Sequence, residues 1–156
     1  MEISKHLEKI SRINDLRERL DPQDDFELWM WASMSAATNA MNAMLHKLGV
    51  TSPGEHFPHQ IPGIFVEPSR VNGKWKKVIV PPGDLIHIGY PPISTPIPNI
   101  LSAFLNALAT VEDFRESHIR GNAPITREIT EQCDAAYRRC MDQAKAILGE
   151  EGKRPS

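Results

Sequence analysis

Six apolar residues, Ile3, Leu7, Ile10, Ile13, Leu16 and Leu20, recur at steps of three and four through ISKHLEKISRINDLRERL, with polar and charged residues between them. Such steps return to one face of a helix with 3.6 residues per turn, so the spacing predicts an amphipathic first helix with a charged outer face. The DP pair at 21–22 predicts both its stop and the next start. Asp21 suits an N-cap and Pro22 the first helical position, while Asp24 and Asp25 favour the positive helix end. The second helix is predicted to run to about Leu48, with Gly49 as its C-terminal cap and Lys47 suited to the dipole.

The helical period returns further on. Pro96 or Pro98 is predicted to open a third helix with Leu101, Phe104, Leu105, Leu108, Val111 and Phe114 inward and Gly121 at its end. A fourth is predicted from about Thr126, with Ile129, Cys133, Ala136, Tyr137, Cys140, Ala144 and Ile147 inward. Between helices two and three the pattern changes, and prolines crowd at 53, 58, 62, 68, 81, 82, 91, 92, 96 and 98. GIFVEP and KWKKVIV flank VNG, where Asn72-Gly73 is a tight-hairpin signal, and DLIHIGY suggests a third short strand. Proline removes ladder donors, so any sheet here is small. Phe65, Trp75, Val78, Val80 and Ile86 argue for an ordered segment rather than a linker. The expected fold is therefore mainly α: a four-helix bundle with a proline-rich, β-hairpin-containing insert (about 51–96) between helices two and three. Residues 1–150 form a single helical domain and 151–156 a frayed tail.

The stretch WMWASMSAATNAMNAML, Trp29 to Leu45, carries no charge in a chain that is 24% charged. Ser33, Ser35, Thr38, Asn39 and Asn42 dilute it too far for a membrane span, which needs about 20 predominantly apolar residues. Met30, Met34, Ala37, Met41 and Leu48 share one face, as adaptable core filler does. On the other face Ser35, Asn39, Asn42 and His46 align at steps of four, three and four, with Thr38 and Trp31 beside them. Short neutral hydrogen-bonding groups in place of Glu, Lys and Arg suit a tight, partly dry contact. Three surroundings satisfy such a strip: the insert folded over it, a second subunit, or a small polar ligand.

The totals narrow the partners. A 156-residue chain buries enough surface to hold a core without a disulfide or metal staple. A net charge of −2 exerts no broad pull on nucleic acid or acidic lipid. The three lysines of KWKK read as a solvated strand edge rather than an RNA contact, and two outward arginines at 138–139 change little. Cys133 and Cys140, seven residues apart on one helix, lie roughly 10 Å apart along the axis, too far for a disulfide. With a charged, amphipathic start in place of a secretory leader, a reducing cytoplasm is the expected location.

Candidate chemistry rests on histidine. HFPH offers His56 and His59, with His87 a possible third metal ligand and Asp84 a fourth, but zinc needs three or four donors to converge. The sequence contains no HExxH, CxxC, GxSxG, P-loop or GxGxxG motif, and ordinary hydrogen-bonded histidines are expected, with no metal ligand assigned. Both cysteines read as inert packed thiols. His118, four residues after Phe114, suits a helix C-terminus, where the dipole favours its protonated form. If a long crossover ran helices two and three parallel, His46 and His118 would approach and share a metal or an anion.

The helical outline resembles that of DinB-like metal proteins, in which a helix-two histidine joins an HxxxH pair on a later helix. His46 resembles the first ligand, but the fourth helix has no histidine and the metal site is not carried over. It is similar in outline to HEPN-type ribonucleases as well, yet no arginine stands four to six intervening residues before any histidine, Arg115 being too near His118. The leading expectation is association, as a homodimer or an accessory subunit of a larger complex, through the polar strip or the insert. The alternative is a small-molecule-binding protein or enzyme, metal-dependent or not, with a pocket between helix two and the insert. Trp31, Asn39, Asn42, His46 and His118 are its candidate binding residues, with His118 or His87 as a proton-transfer partner.

Overall fold

The computed structural model describes residues 1–53, 57–58, 65–66, 69–71, 74–76, 84 and 96–149. It is mainly helical, with four helices: α1 (Ile3–Arg17), α2 (Phe26–Lys47), α3 (Ser102–Phe114) and α4 (Arg127–Leu148). Two short antiparallel pairs lie between α2 and α3. β1 (Phe57–Pro58) pairs with β2 (Phe65–Val66), and β3 (Ser69–Val71) with β4 (Lys74–Lys76), Arg70 standing opposite Trp75. The Asn72-Gly73 turn, the run 85–90 expected as a strand, and the tail from 150 lie outside the described residues.

Helix boundaries follow local hydrogen bonding. α1 ends at Arg17 rather than Leu20, its last turn tightening as Arg19 N donates to Leu16 O (3.0 Å) and Leu20 N to Arg17 O (3.3 Å). Asp21 does not cap α2, as the DP pair suggests. Its Oδ1 accepts from Gln23 N (2.8 Å) and Asp24 N (2.9 Å), closing a separate turn, and α2 begins at Phe26. Leu101 closes a short 3₁₀ turn (Asn99–Leu101) that leads into α3. Arg115–Arg120 then continue α3 as a wider π-helical stretch. Gly121 ends that stretch, because a Cβ there would stand 2.6 Å from the Ser117 carbonyl oxygen. Thr126 Oγ1 caps α4 by accepting from Ile129 N (3.3 Å).

α2 is the central element. Fifteen of its 22 residues are buried, which explains why it carries no charge through its middle. Met30, Met34, Ala37 and Met41 pack in one core with Leu101 of the 3₁₀ turn, Phe104, Leu108 and Val111 of α3 and Cys133, Ala136, Tyr137, Cys140, Ala144 and Ile147 of α4. α1 departs from its apolar pattern: Leu7 and Leu16 are 43% and 37% exposed, and its one fully buried side chain is His6. The face turned inward is His6, Ile10, Ile13 and Arg17, and its polar members have partners on other helices.

Arg17 shows how. Its guanidinium carbon lies 4.2 Å from the centres of both the Trp29 and the Tyr137 rings. Nε donates to Ser33 Oγ (2.7 Å) and Nη2 to Asp134 Oδ1 (2.7 Å), so one side chain ties α1 to α2 and α4. Asn14 and the Tyr137 hydroxyl form a second α1–α4 hydrogen bond.

Contacts also give direction. α1 runs antiparallel to α2, since His6 meets Asn39 while Arg17 meets Ser33. α2 and α4 run parallel, Met30 touching Cys133 at one end and Lys47 Nζ donating to Leu148 O (3.2 Å) at the other. His118, just beyond α3, lies 6.1 Å from Phe26 at the start of α2, so α3 is antiparallel to α2. The approach of His46 to His118 expected for parallel helices does not occur. Twenty residues of α2, roughly 30 Å, separate the two ends.

Candidate functional site: a buried His–His–Asp centre

The site forms where α1 begins and α2 ends. His6, one turn into α1, is 1% exposed, and the side chain of His46, in the last turn of α2, is fully buried. Between them stands the Asp84 carboxylate, supplied by the insert. Its Oδ1 lies 3.1 Å from His6 Nε2 and 2.8 Å from His46 Nε2, and the two imidazole centres are 5.5 Å apart. Oδ2 accepts from the Met1 amino group at 2.9 Å.

The outer nitrogens are held as well. His6 Nδ1 lies 2.9 Å from Asn39 Oδ1, and Asn39 Nδ2 donates to Ser35 O (2.8 Å). With the amide nitrogen committed there, Oδ1 faces His6 as an acceptor, so His6 Nδ1 carries a hydrogen. His46 Nδ1 lies 2.7 Å from the Thr51 hydroxyl, and Thr51 is 4% exposed. The turn after α2 places Thr51. Gly49 takes a left-handed conformation (φ +69°), and Val50 N then donates to Leu45 O (2.9 Å), folding the chain back over the helix end.

Electrostatics concentrate on Asp84. Burial alone would raise its carboxyl, but hydrogen bonds from His46, His6 and the amino terminus outweigh that and hold it far below the usual carboxylate range. Asp84 is therefore an anion facing two imidazoles. One imidazole nitrogen each of His6 and His46 and one carboxylate oxygen of Asp84 all lie within 4.8 Å of one another. Donors about 2.1 Å from a shared cation stand roughly 3.0–3.4 Å apart in octahedral or tetrahedral geometry, close to the observed N···O separations. Asn39 and Thr51 occupy the positions from which outer partners orient metal-binding imidazoles.

Of the residues singled out from sequence, Asn39 and His46 lie in this centre, and Asn42 is buried on the adjoining turn. Asp84, named as a possible fourth ligand beside His56, His59 and His87, is the described member of that set, the three histidines lying outside the described residues. Trp31 is 41% exposed and reaches Glu27 (3.4 Å), away from the centre. His118 packs on Phe26 and Phe114 with Nδ1 3.3 Å from Ala123 O, at the far end of α2. His6 is the residue that sequence reasoning missed. The signal was present, because positions 6, 10, 13 and 17 share a helical face at steps of four, three and four, the spacing shown by the polar strip of α2.

The centre defines a mainly helical protein with two imidazoles and a carboxylate converging in its interior. No family model, no curated protein and no solved structure matches this chain.

Proposed function

We propose that the protein binds a divalent transition-metal ion through His6, His46 and Asp84, and that this ion serves a small-molecule-binding or catalytic role between α2 and the insert. One observation carries the reading. The Nδ1 hydrogen of His6 is committed to Asn39, and its Nε2 stands 3.1 Å from the same anionic Asp84 oxygen that His46 Nε2 meets at 2.8 Å. A proton on Nε2 satisfies the His6–Asp84 contact by itself; what supports the metal reading is the convergence of two imidazoles and a carboxylate, with one ligand atom each, within 4.8 Å. Two imidazoles with one carboxylate form the donor set of zinc hydrolases and of non-haem iron enzymes, in which further positions take water or substrate.

Isothermal titration of chelator-stripped protein with Zn²⁺ and Co²⁺ tests this. One ion per chain is expected, with affinity falling at least about 100-fold in His6→Ala, His46→Ala and Asp84→Asn. Wild-type protein that binds neither ion would sink the proposal.

In architecture, we read the four helices as a four-helix bundle and the proline-rich residues 51–96 as a cover over the polar strip. The alternating helix directions and the position of Asp84 against His46 support this. Association is a second proposal, favoured by an apolar groove between α1 and α4 lined by Leu7, Ile10, Met141, Ala144 and Leu148. Native mass spectrometry separates the two proposals: added metal-sized mass on a monomer supports the first alone, and a dimer supports the second.

A further inference from the structure

The two histidines are held by different kinds of partner. Asn39 presents an amide oxygen to His6, and that oxygen only accepts. Thr51 presents a hydroxyl to His46 (2.7 Å), and a hydroxyl both donates and accepts. Thr51 is 4% exposed, the His46 side chain is fully buried, and Val50 N and Thr51 N both reach Leu45 O (2.9 and 3.4 Å), which fixes the hydroxyl against the ring.

We infer that Thr51 is the positioning residue that lets His46 exchange tautomers between metal-free and metal-bound protein with Nδ1 hydrogen-bonded in both. The inference rests on the metal-binding reading above. In metal-free protein His46 Nε2 carries the hydrogen and donates to Asp84 Oδ1 across 2.8 Å, while the Thr51 hydroxyl donates to Nδ1. In metal-bound protein the Nε2 lone pair goes to the ion, so Nδ1 carries the hydrogen and donates to Thr51 Oγ1. One proton leaves Nε2 for water and one arrives at Nδ1 from water, so the exchange itself leaves the charge of the ring unchanged. An acceptor-only partner at position 51 would leave the ring to choose between a lost hydrogen bond and the wrong nitrogen toward the metal. A residue with no polar side chain would leave Nδ1 buried and unpaired, at a cost in metal affinity.

The nitrogen signals of His46 in ¹⁵N-labelled protein, with and without Zn²⁺, read the tautomer directly. The expected result is Nε2–H without zinc and Nδ1–H with it. In Thr51→Val, zinc affinity should fall about 10–100-fold, and Thr51→Ser should restore it, since serine keeps the hydroxyl. Zinc bound with Nδ1–H present in both states would overturn this inference and leave the metal reading standing. Equal zinc affinity in Thr51→Val and wild type would do the same. Failure of the wild-type protein to bind either Zn²⁺ or Co²⁺ would overturn both. Should Thr51→Val not fold, the wild-type spectra and Thr51→Ser decide the matter.

Discussion

Asp134 shows at the scale of one residue how the polar contacts outside the centre bear on stability. Burial by itself would raise its carboxyl, but hydrogen bonds from Arg17 and Arg138, at 2.7 and 2.6 Å, more than compensate and lower it. A carboxyl lowered in the folded state stabilises above its unfolded value, near 3.9, and that contribution disappears as pH falls through the folded value. Asp134→Asn should therefore be less stable than wild type at pH 7, by about 1–3 kcal/mol. The gap should narrow as pH falls below about 4, where the unfolded chain takes up the proton, and close once the folded carboxyl is protonated too. Urea melts of both proteins between pH 7 and pH 3 test this, and a gap that widens in acid would refute it. His6 belongs to the same scale. Its burial, unlike that of a leucine, has meaning only through Asn39 and Asp84, which no local pattern announces.

At the scale of elements, two glycines end helices for different reasons. Gly49 adopts φ +69°, where an L side chain is strained, yet a Cβ there would meet nothing within 4 Å. Gly121 has ordinary φ, but a Cβ would collide with the Ser117 carbonyl at 2.6 Å. Gly49→Ala should cost about 1–2 kcal/mol, and Gly49→Asn less, because asparagine tolerates the left-handed region. Gly121→Asn should show no such advantage over Gly121→Ala, since its problem is space. Thermal melts of the four variants read this directly, and equal losses for both substitutions at position 49 would contradict the conformational argument. Both stops were legible in the sequence as glycines at the ends of apolar periods. The inward face of α1 was legible only in part, in the shared helical face of positions 6, 10, 13 and 17. Its six apolar residues predicted one stripe, whereas His6, Asn14 and Arg17 turn inward to bond α2, α4 and Asp84, rotating Leu7 and Leu16 outward.

At the scale of the whole molecule, the two cysteines report on the core. Burial pushes both thiols up to about 12, and Cys133 packs against Met30 while Cys140 faces the Phe104 carbonyl. Their thiolates are scarce and shielded, so neither should react with a disulfide reagent at pH 8 until the helices separate. The two should then become reactive together across the unfolding transition, as expected for one cooperative unit. Rapid labelling of either thiol in native protein would show that α2 and α4 part more easily than their shared core implies.

The sequence by itself determined the four helices and the inward faces of α2, α3 and α4, because repeated burial of apolar side chains leaves a period of 3.6 that can be counted. It also marked α2 as central and predicted its polar strip of Ser35, Asn39, Asn42 and His46, with Thr38 and Trp31, to be covered, because an exposed face is rarely without charge. In the structure Asn42 and His46 are buried while Ser35 and Trp31 are exposed. Only the tertiary structure decided the antiparallel run of α2 and α3, which parts His46 from His118, and the meeting of His6, His46 and Asp84. Asp84 stands 78 positions from His6 and 38 from His46. A buried polar group is stable only with its partner in place, and partners that distant are chosen by packing rather than by spacing.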